Sequence, residues 1–379
     1  MRVAFVSAAK KMIKHWVAAA FLVFVCVASL VLVGSVRAQS VTTIFINADG
    51  SVSGTNAIQR EGNRYDLTES LYNSSIVVLC GDIVLDGDGF TLQGPNGWPT
   101  PAGINLTCTG VTVENFVVKC WEVGILGAYD GNTIYDNSLI NNERGIAIYA
   151  DNYQVEGNYI AQADYAVRVT GNNDTFTRNT FDAGGFAFWI TDSSGILITE
   201  NNITSNNPVV FQTDYGGFQV YHNNFYNLGK NTDVLTTNTN ATDADFLPWD
   251  NGYPSGGNYW SDYTTLYPNA TEIGDSGIGD IPYNVTTNPL TPNLTVLDRY
   301  PLLSPFNIPS AGSETPQPSQ TPAPSNSPTA TAVTSSSPQK SPQQNEAVTT
   351  VAAVLAAVAA IEIVVFVALR RNRARSKIN

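Results

Sequence analysis

A fixed step runs through the middle of this chain. Asn115, Asn137, Asn158, Asn179, Asn201 and Asn223 follow one another at intervals of 21 or 22 residues. Such a period marks a repeat architecture, in which each unit buries its apolar side only by stacking on its neighbours. Other positions keep the same step. Two residues after each asparagine stand Val117, Leu139, Ile160, Phe181, Ile203 and Phe225, and three before it Thr112, Ile134, Val155, Phe176, Ile198 and Val220. Of these only Thr112 is polar. Small residues form a further column at Gly103, Gly124, Gly145, Ala166, Ala187 and, with one residue inserted, Val209.

The apolar runs are short and rich in Ile, Val, Phe and Tyr, and the segments between them (DGN, GNND, DSSG) carry turn chemistry. An all-β chain with coils near 21–22 residues is therefore expected, a parallel β-helix. A leucine-rich repeat has a similar period but needs a leucine consensus that is missing here. The asparagines read as structural. Inward amides at one corner of successive coils can satisfy one another and the turn backbone.

The ends lie outside the repeat. Lys10, Lys11 and Lys14 precede an apolar run ending in Val36-Arg37-Ala38, so residues 1–38 read as a secretory signal, with an uncleaved anchor as the alternative. Residues 39–75 are expected to form an N-terminal cap or first coil, 76–230 the β-helix, and 231–308 a loop-rich C-terminal cap. Residues 309–347 are a Pro/Ser/Thr-rich stalk. Residues 348–369 are long and apolar enough for a transmembrane helix, although Glu362 interrupts them. The basic tail 370–379 then places the C-terminus in the cytoplasm and the repeat outside the cell.

Between residues 39 and 347 there are 31 acidic and 9 basic side chains. A nucleic-acid partner is thereby excluded, and a uronate-rich polysaccharide would need bridging cations. Sequons at Asn73, Asn105, Asn173, Asn202, Asn240, Asn269, Asn284 and Asn293 suit an exported glycoprotein. Aligning Ile83 with Val111 sets Cys80 against Cys108 in adjacent coils. A disulfide is expected there, leaving Cys120 as a buried thiol and Cys26 in the signal.

Several segments together resemble a known family. They are the strand IVLDGDGFTL, the Trp/Gly/Tyr-rich segment NGYPSGGNYWSDY that follows Trp249-Asp250, and then DSGIGDIPY (275–283) and DRYPLLSPF (298–306). Over residues 76 to 306 the chain is similar to NosD-like right-handed parallel β-helix proteins, in particular the membrane-anchored surface forms common in archaea. The resemblance implies a right-handed solenoid. It also implies a relation to copper-enzyme maturation and to carbohydrate-binding and sugar-hydrolase domains. Copper is not expected, because outside the signal the chain has one histidine, His222, and no methionine.

Catalysis would need paired carboxylates. An acidic ridge of Asp130, Asp151, Asn172, Asp192 and Asp214 could bind Ca²⁺ for a polysaccharide lyase or hydrolase, or simply close Asx turns. A second row, Glu114, Asp136, Arg178, Glu200 and His222, mixes signs as a solvated face does. Tyr129, Tyr135, Tyr149, Tyr153, Tyr165, Trp189, Tyr215 and Tyr221 could stack on sugar rings. No catalytic residues are assigned. The function expected is non-catalytic adhesion to a polysaccharide or surface glycoprotein from a single membrane span, without a required cofactor or metal.

Overall fold

The computed structural model describes residues 40–95, 100–212, 216–226, 233–235, 248–285 and 296–308. The expected signal, stalk, membrane span and basic tail lie outside these residues. Among the described residues no helix is long and apolar enough to cross a membrane.

The chain forms a parallel β-solenoid of about seven turns with almost no helix. Each coil places strands at three positions around the core. The first position builds a nine-stranded sheet, which includes Ile83–Asp86, Val111–Glu114, Thr133–Tyr135, Gln154–Glu156, Thr175–Thr177, Leu197–Thr199 and Gln219–Tyr221. The second position runs through Val117–Lys119, Ser138–Ile140 and Tyr159–Ala161. The third runs through Val123–Gly127, Arg144–Ile148 and Tyr165–Val169. These last two rows merge in the long strands Thr180–Thr191 and Asn202–Gln212, giving one 17-stranded sheet.

Alternation decides what faces inward. In Val111–Glu114 the valines are buried while Thr112 and Glu114 point outward, the period-two pattern of a half-buried strand. Leu139, Ile160, Phe181, Ile203 and Phe225 stack through the core, each 0–1% exposed. Gly124 and Gly145 lie where a carbonyl of the next coil approaches. A β-carbon on Gly124 would meet Gly145 O at 2.6 Å, which is why this column stays small.

Register corrects the repeat in its first coil. Thr112 pairs with Thr133 and Val117 with Ser138, so Asn137 lies over Phe116, not over Asn115. Asn115 is half-buried at φ 57°, at a turn where Asp136, Gly157, Arg178, Glu200 and His222 also hold positive φ. The inward residues of that coil are Val113, Phe116 and Val118. Glu114 likewise belongs to a strand rather than to the turn row, and it pairs with Arg64 at 3.0 Å.

Both ends are closed. Thr42–Ile46 pairs in parallel with Ser74–Val78, and Arg64–Leu67 with Ile83–Asp86, so coiling begins before residue 76. A hairpin of Ile58–Glu61 and Arg64–Leu67 covers that edge. At the other end Tyr259–Trp260 adds a further rung to Asn224–Tyr226. Phe225, Trp260 and Tyr283 stack with centroids 4.4 and 4.2 Å apart, extending the core column into the closing segment.

Candidate functional site

Inside the solenoid the asparagines form a continuous polar ladder. Asn158 Oδ1 accepts both Asn137 N–H and Asn137 Nδ2–H, at 2.9 and 3.0 Å, while Asn158 Nδ2 donates to Ile134 O one coil back at 2.8 Å. Asn179, Asn201 and Asn223 repeat the scheme. The ladder starts at Phe116 N–H, which donates to Asn137 Oδ1, and runs two rungs past Asn223 to Asn258 and Asp298. Asp298 is fully buried and also accepts from Trp260 Nε1 and Tyr300 N. Burial pushes its carboxyl up to about 7 against the pull of these donors. No fixed step from Asn223 leads to Asn258, because 34 residues intervene.

A second interior column contains Asn132, Tyr153 and Asp174. Asn132 Nδ2 donates to the Tyr153 hydroxyl at 2.9 Å, and Tyr153 N donates to Asp174 Oδ1 at 2.8 Å. Tyr153 is thus a core residue and not a sugar platform. Asp174 Oδ2 is buried without a partner, and burial pushes this carboxyl up to about 7.

The expected acidic ridge is a backbone-bonded turn ladder. Asp130 Oδ1 accepts Asp151 N–H at 2.9 Å, Asp151 Oδ1 accepts Asn172 N–H at 2.8 Å, and Asn172 Oδ1 accepts Ser194 N–H at 3.0 Å. Ser194 therefore holds the place expected for Asp192, which is exposed at a different turn position. Asp214 and Tyr215 lie outside the described residues. No group of three or more His, Cys, Asp or Glu could hold a metal ion among the described residues.

Cys80, Cys108 and Cys120 are free. Val111 does pair with Ile83, but the Cys108 thiol donates to the Cys80 carbonyl at 2.8 Å in place of bonding to the other sulfur. Burial pushes Cys108 up to about 11. Cys120 is half-exposed, not buried, at φ 66°. The His222 ring stacks on Phe306 at 4.2 Å, and its Nε2 lies 2.9 Å from Ser255 O.

Of the sequons, Asn173, Asn269 and Asn284 are exposed, Asn73, Asn105 and Asn202 are half-buried, and Asn240 and Asn293 fall outside the described residues. In the loop 275–280 Asp280 accepts Thr271 N and Oγ1, which hold its carboxyl below its usual range.

Two features mark the outer surface. One is an open cavity of about 530 Å³ lined by Asp88, Asp136, Ser138, Gly157 and Tyr159. It forms where Gly157 leaves the turn row without a side chain. The other is an aromatic cluster on the third-position sheet. Tyr165 and Phe186 are stacked at 5.3 Å, and Trp189 meets both edge-on at 5.6 and 5.0 Å. All three rings are half-exposed, and Arg144 and Arg168 flank them. The sequence singled out Tyr165 and Trp189 but not Phe186, which comes beside them only through coil register. Tyr129 and Tyr149, 50% and 43% exposed, stand apart at turns.

A family model described as periplasmic copper-binding protein (NosD) matches residues 71–265, half of the chain. No curated protein and no solved structure matches it.

Proposed function

The chain belongs to the NosD family, and we propose a non-catalytic, glycan-binding role for a right-handed β-helix displayed outside the cell on a C-terminal membrane anchor. The observation that carries this reading is the cluster of Tyr165, Phe186 and Trp189 on the outer face of a rigid sheet. Half-exposed rings give a sugar ring a flat apolar surface to stack on, and neighbouring polar side chains can bond its hydroxyls. Because successive coils repeat along the solenoid axis, a linear glycan can lie across several of them.

A calcium-assisted lyase or hydrolase is the second reading, and the ridge gives it little support. The ridge oxygens of Asp130, Asp151 and Asn172 already accept backbone N–H groups. The family's copper is not carried over either, since His222 is stacked and bonded within the closing segment.

A glycan array probed with the full-length protein, with and without calcium and followed by product analysis, tests the proposal. Retained, uncut ligand is the expected result. New sugar ends would establish the enzyme reading, and the absence of any bound glycan would refute both.

A further inference from the structure

We propose that the aromatic face takes a saccharide bearing a carboxylate, and that Arg168 is the residue that reads its charge. This deepens the glycan-binding reading and rests on it.

The argument starts from how the other arginines are used. Arg64 pairs with Asp66, Asp86 and Glu114. Arg144 meets Glu143 and Glu122 at 3.3 and 3.8 Å, Arg178 meets Glu156 and Glu200 at 3.1 and 3.4 Å, and Arg299 meets Asp250 at 2.8 Å. Arg60 bonds to the carbonyls of Gly50 and Gly62. Among the described residues, Arg168 alone of the arginines has neither an ion pair nor a hydrogen bond. In a chain with 32 acidic residues against 19 basic ones, a guanidinium left unpaired is the exception.

Its setting adds a second observation. Register places Arg168 between Ala147 and Trp189 on adjacent coils, and Trp189 in turn meets the rings of Tyr165 and Phe186 edge-on. Arg168 Nε is shielded from water and has no acceptor; the same holds for Arg144 Nε, but Arg144 has carboxylate partners at another nitrogen and Arg168 has none. A donor in that state lacks the partner that buried polar groups normally have. A planar carboxylate is the group that a guanidinium fork binds best, through charge-assisted hydrogen bonds.

The acidic surface repels a dense polyanion at long range. That repulsion is screened beyond about 8 to 10 Å at physiological salt, whereas contact at Arg168 is not. The ligand class that satisfies both conditions is a glycan whose uronate residues alternate with neutral ones, so that one carboxylate reaches Arg168 while a neighbouring ring stacks on the aromatics.

The test uses full-length protein, EDTA to remove bridging cations, and two probes: a hyaluronan tetrasaccharide and its carboxyl methyl ester, which is neutral. Calorimetry should show the acid binding about tenfold tighter than the ester, the ratio given by roughly 1.4 kcal/mol. Arg168→Gln should bring the acid to the level of the ester, while Arg178→Gln, on the turn row away from the aromatic face, should leave the ratio unchanged. Trp189→Ala, checked for folding by circular dichroism, should weaken both probes. Equal binding of acid and ester overturns the charge-reading role and leaves the glycan reading standing. Binding of neither overturns both, as would a dimer in the ultracentrifuge that Trp189→Ala dissolves, because the face would then be covered by a second copy.

Discussion

Replacing Asn179 by alanine removes one rung of the interior ladder and states the cost of the whole device. Its Oδ1 accepts Asn158 N–H and Nδ2–H at 2.9 and 3.0 Å, and its Nδ2 donates to Val155 O and Asn201 Oδ1 at 2.8 and 3.0 Å. Asn201 Oδ1 keeps the backbone bond from residue 179. One backbone group, Asn158 N–H, is left buried with no partner, while Val155 O keeps its sheet bond to the next coil. The orphan costs about 1–3 kcal/mol and the lost amide bond to Val155 O about 1 more, so the loss should fall at roughly 2–4 kcal/mol. The control is Asn115→Gly, which the sequence pattern alone would place in the same ladder. It removes one bond to Asp86 at 3.1 Å, and glycine suits the φ of 57° at that turn. Its cost should stay below about 1 kcal/mol. Urea unfolding followed by circular dichroism compares the two, and hydrogen exchange on a peptide containing Asn158 reports the local opening. Equal losses at both sites, or an Asn179→Ala loss below about 1 kcal/mol, would refute the account of the ladder.

Three further outcomes are expected. Asp174 is raised to about 7 from 3.8, so its folded form prefers the proton, and stability should rise as pH falls from about 7 towards 4; thermal melts of Asp174→Asn should lose part of that slope, with a gain near neutral pH of at most about 4 kcal/mol. Arg299→Ala strips the side-chain partner from the wholly buried Asp250 and should cost about 3 kcal/mol, seen as faster proteolysis of the closing segment around residues 252–285. Copper titration against a competing chelator should find no submicromolar site, and one would show that Cys80, Cys108, Cys120 or His222 rearranges to bind it.

The solenoid was readable because its period is written in buried residues that repeat at one step. In the first coil a single-residue shift separates the sequence pattern from the register. The polar Thr112 in an otherwise apolar column was the sign of it, since moving that coil by one brings Val113, Phe116 and Val118 inward. Phe116 carries no amide to continue the asparagine pattern, so the eye settles on Asn115. Ser194 holds the place the spacing assigns to Asp192, because a turn ladder uses any short oxygen-bearing side chain or backbone N–H, whereas the sequence pattern favours the acid. Asn258 and Asp298 were invisible as rungs, since the chain leaves the repeat before returning to it. The aromatic face was half legible. Tyr165 and Trp189 could be named, but their contact with Phe186 and the isolation of Arg168 depend on which coil lies beside which.

A ladder in which every amide oxygen accepts from the preceding coil has a head and a tail. Phe116 starts it with a bare N–H, and Asp298 ends it with a group that offers lone pairs and asks for no acceptor when ionised. The carboxylate therefore acts as a stop signal for polymer growth within a single chain. Coils could be added or removed whole between these two residues without changing either terminus. Loss of Asp298 would strand the Asn258 N–H and the Trp260 indole N–H inside the protein with no acceptor, so the closing rung would fail from within.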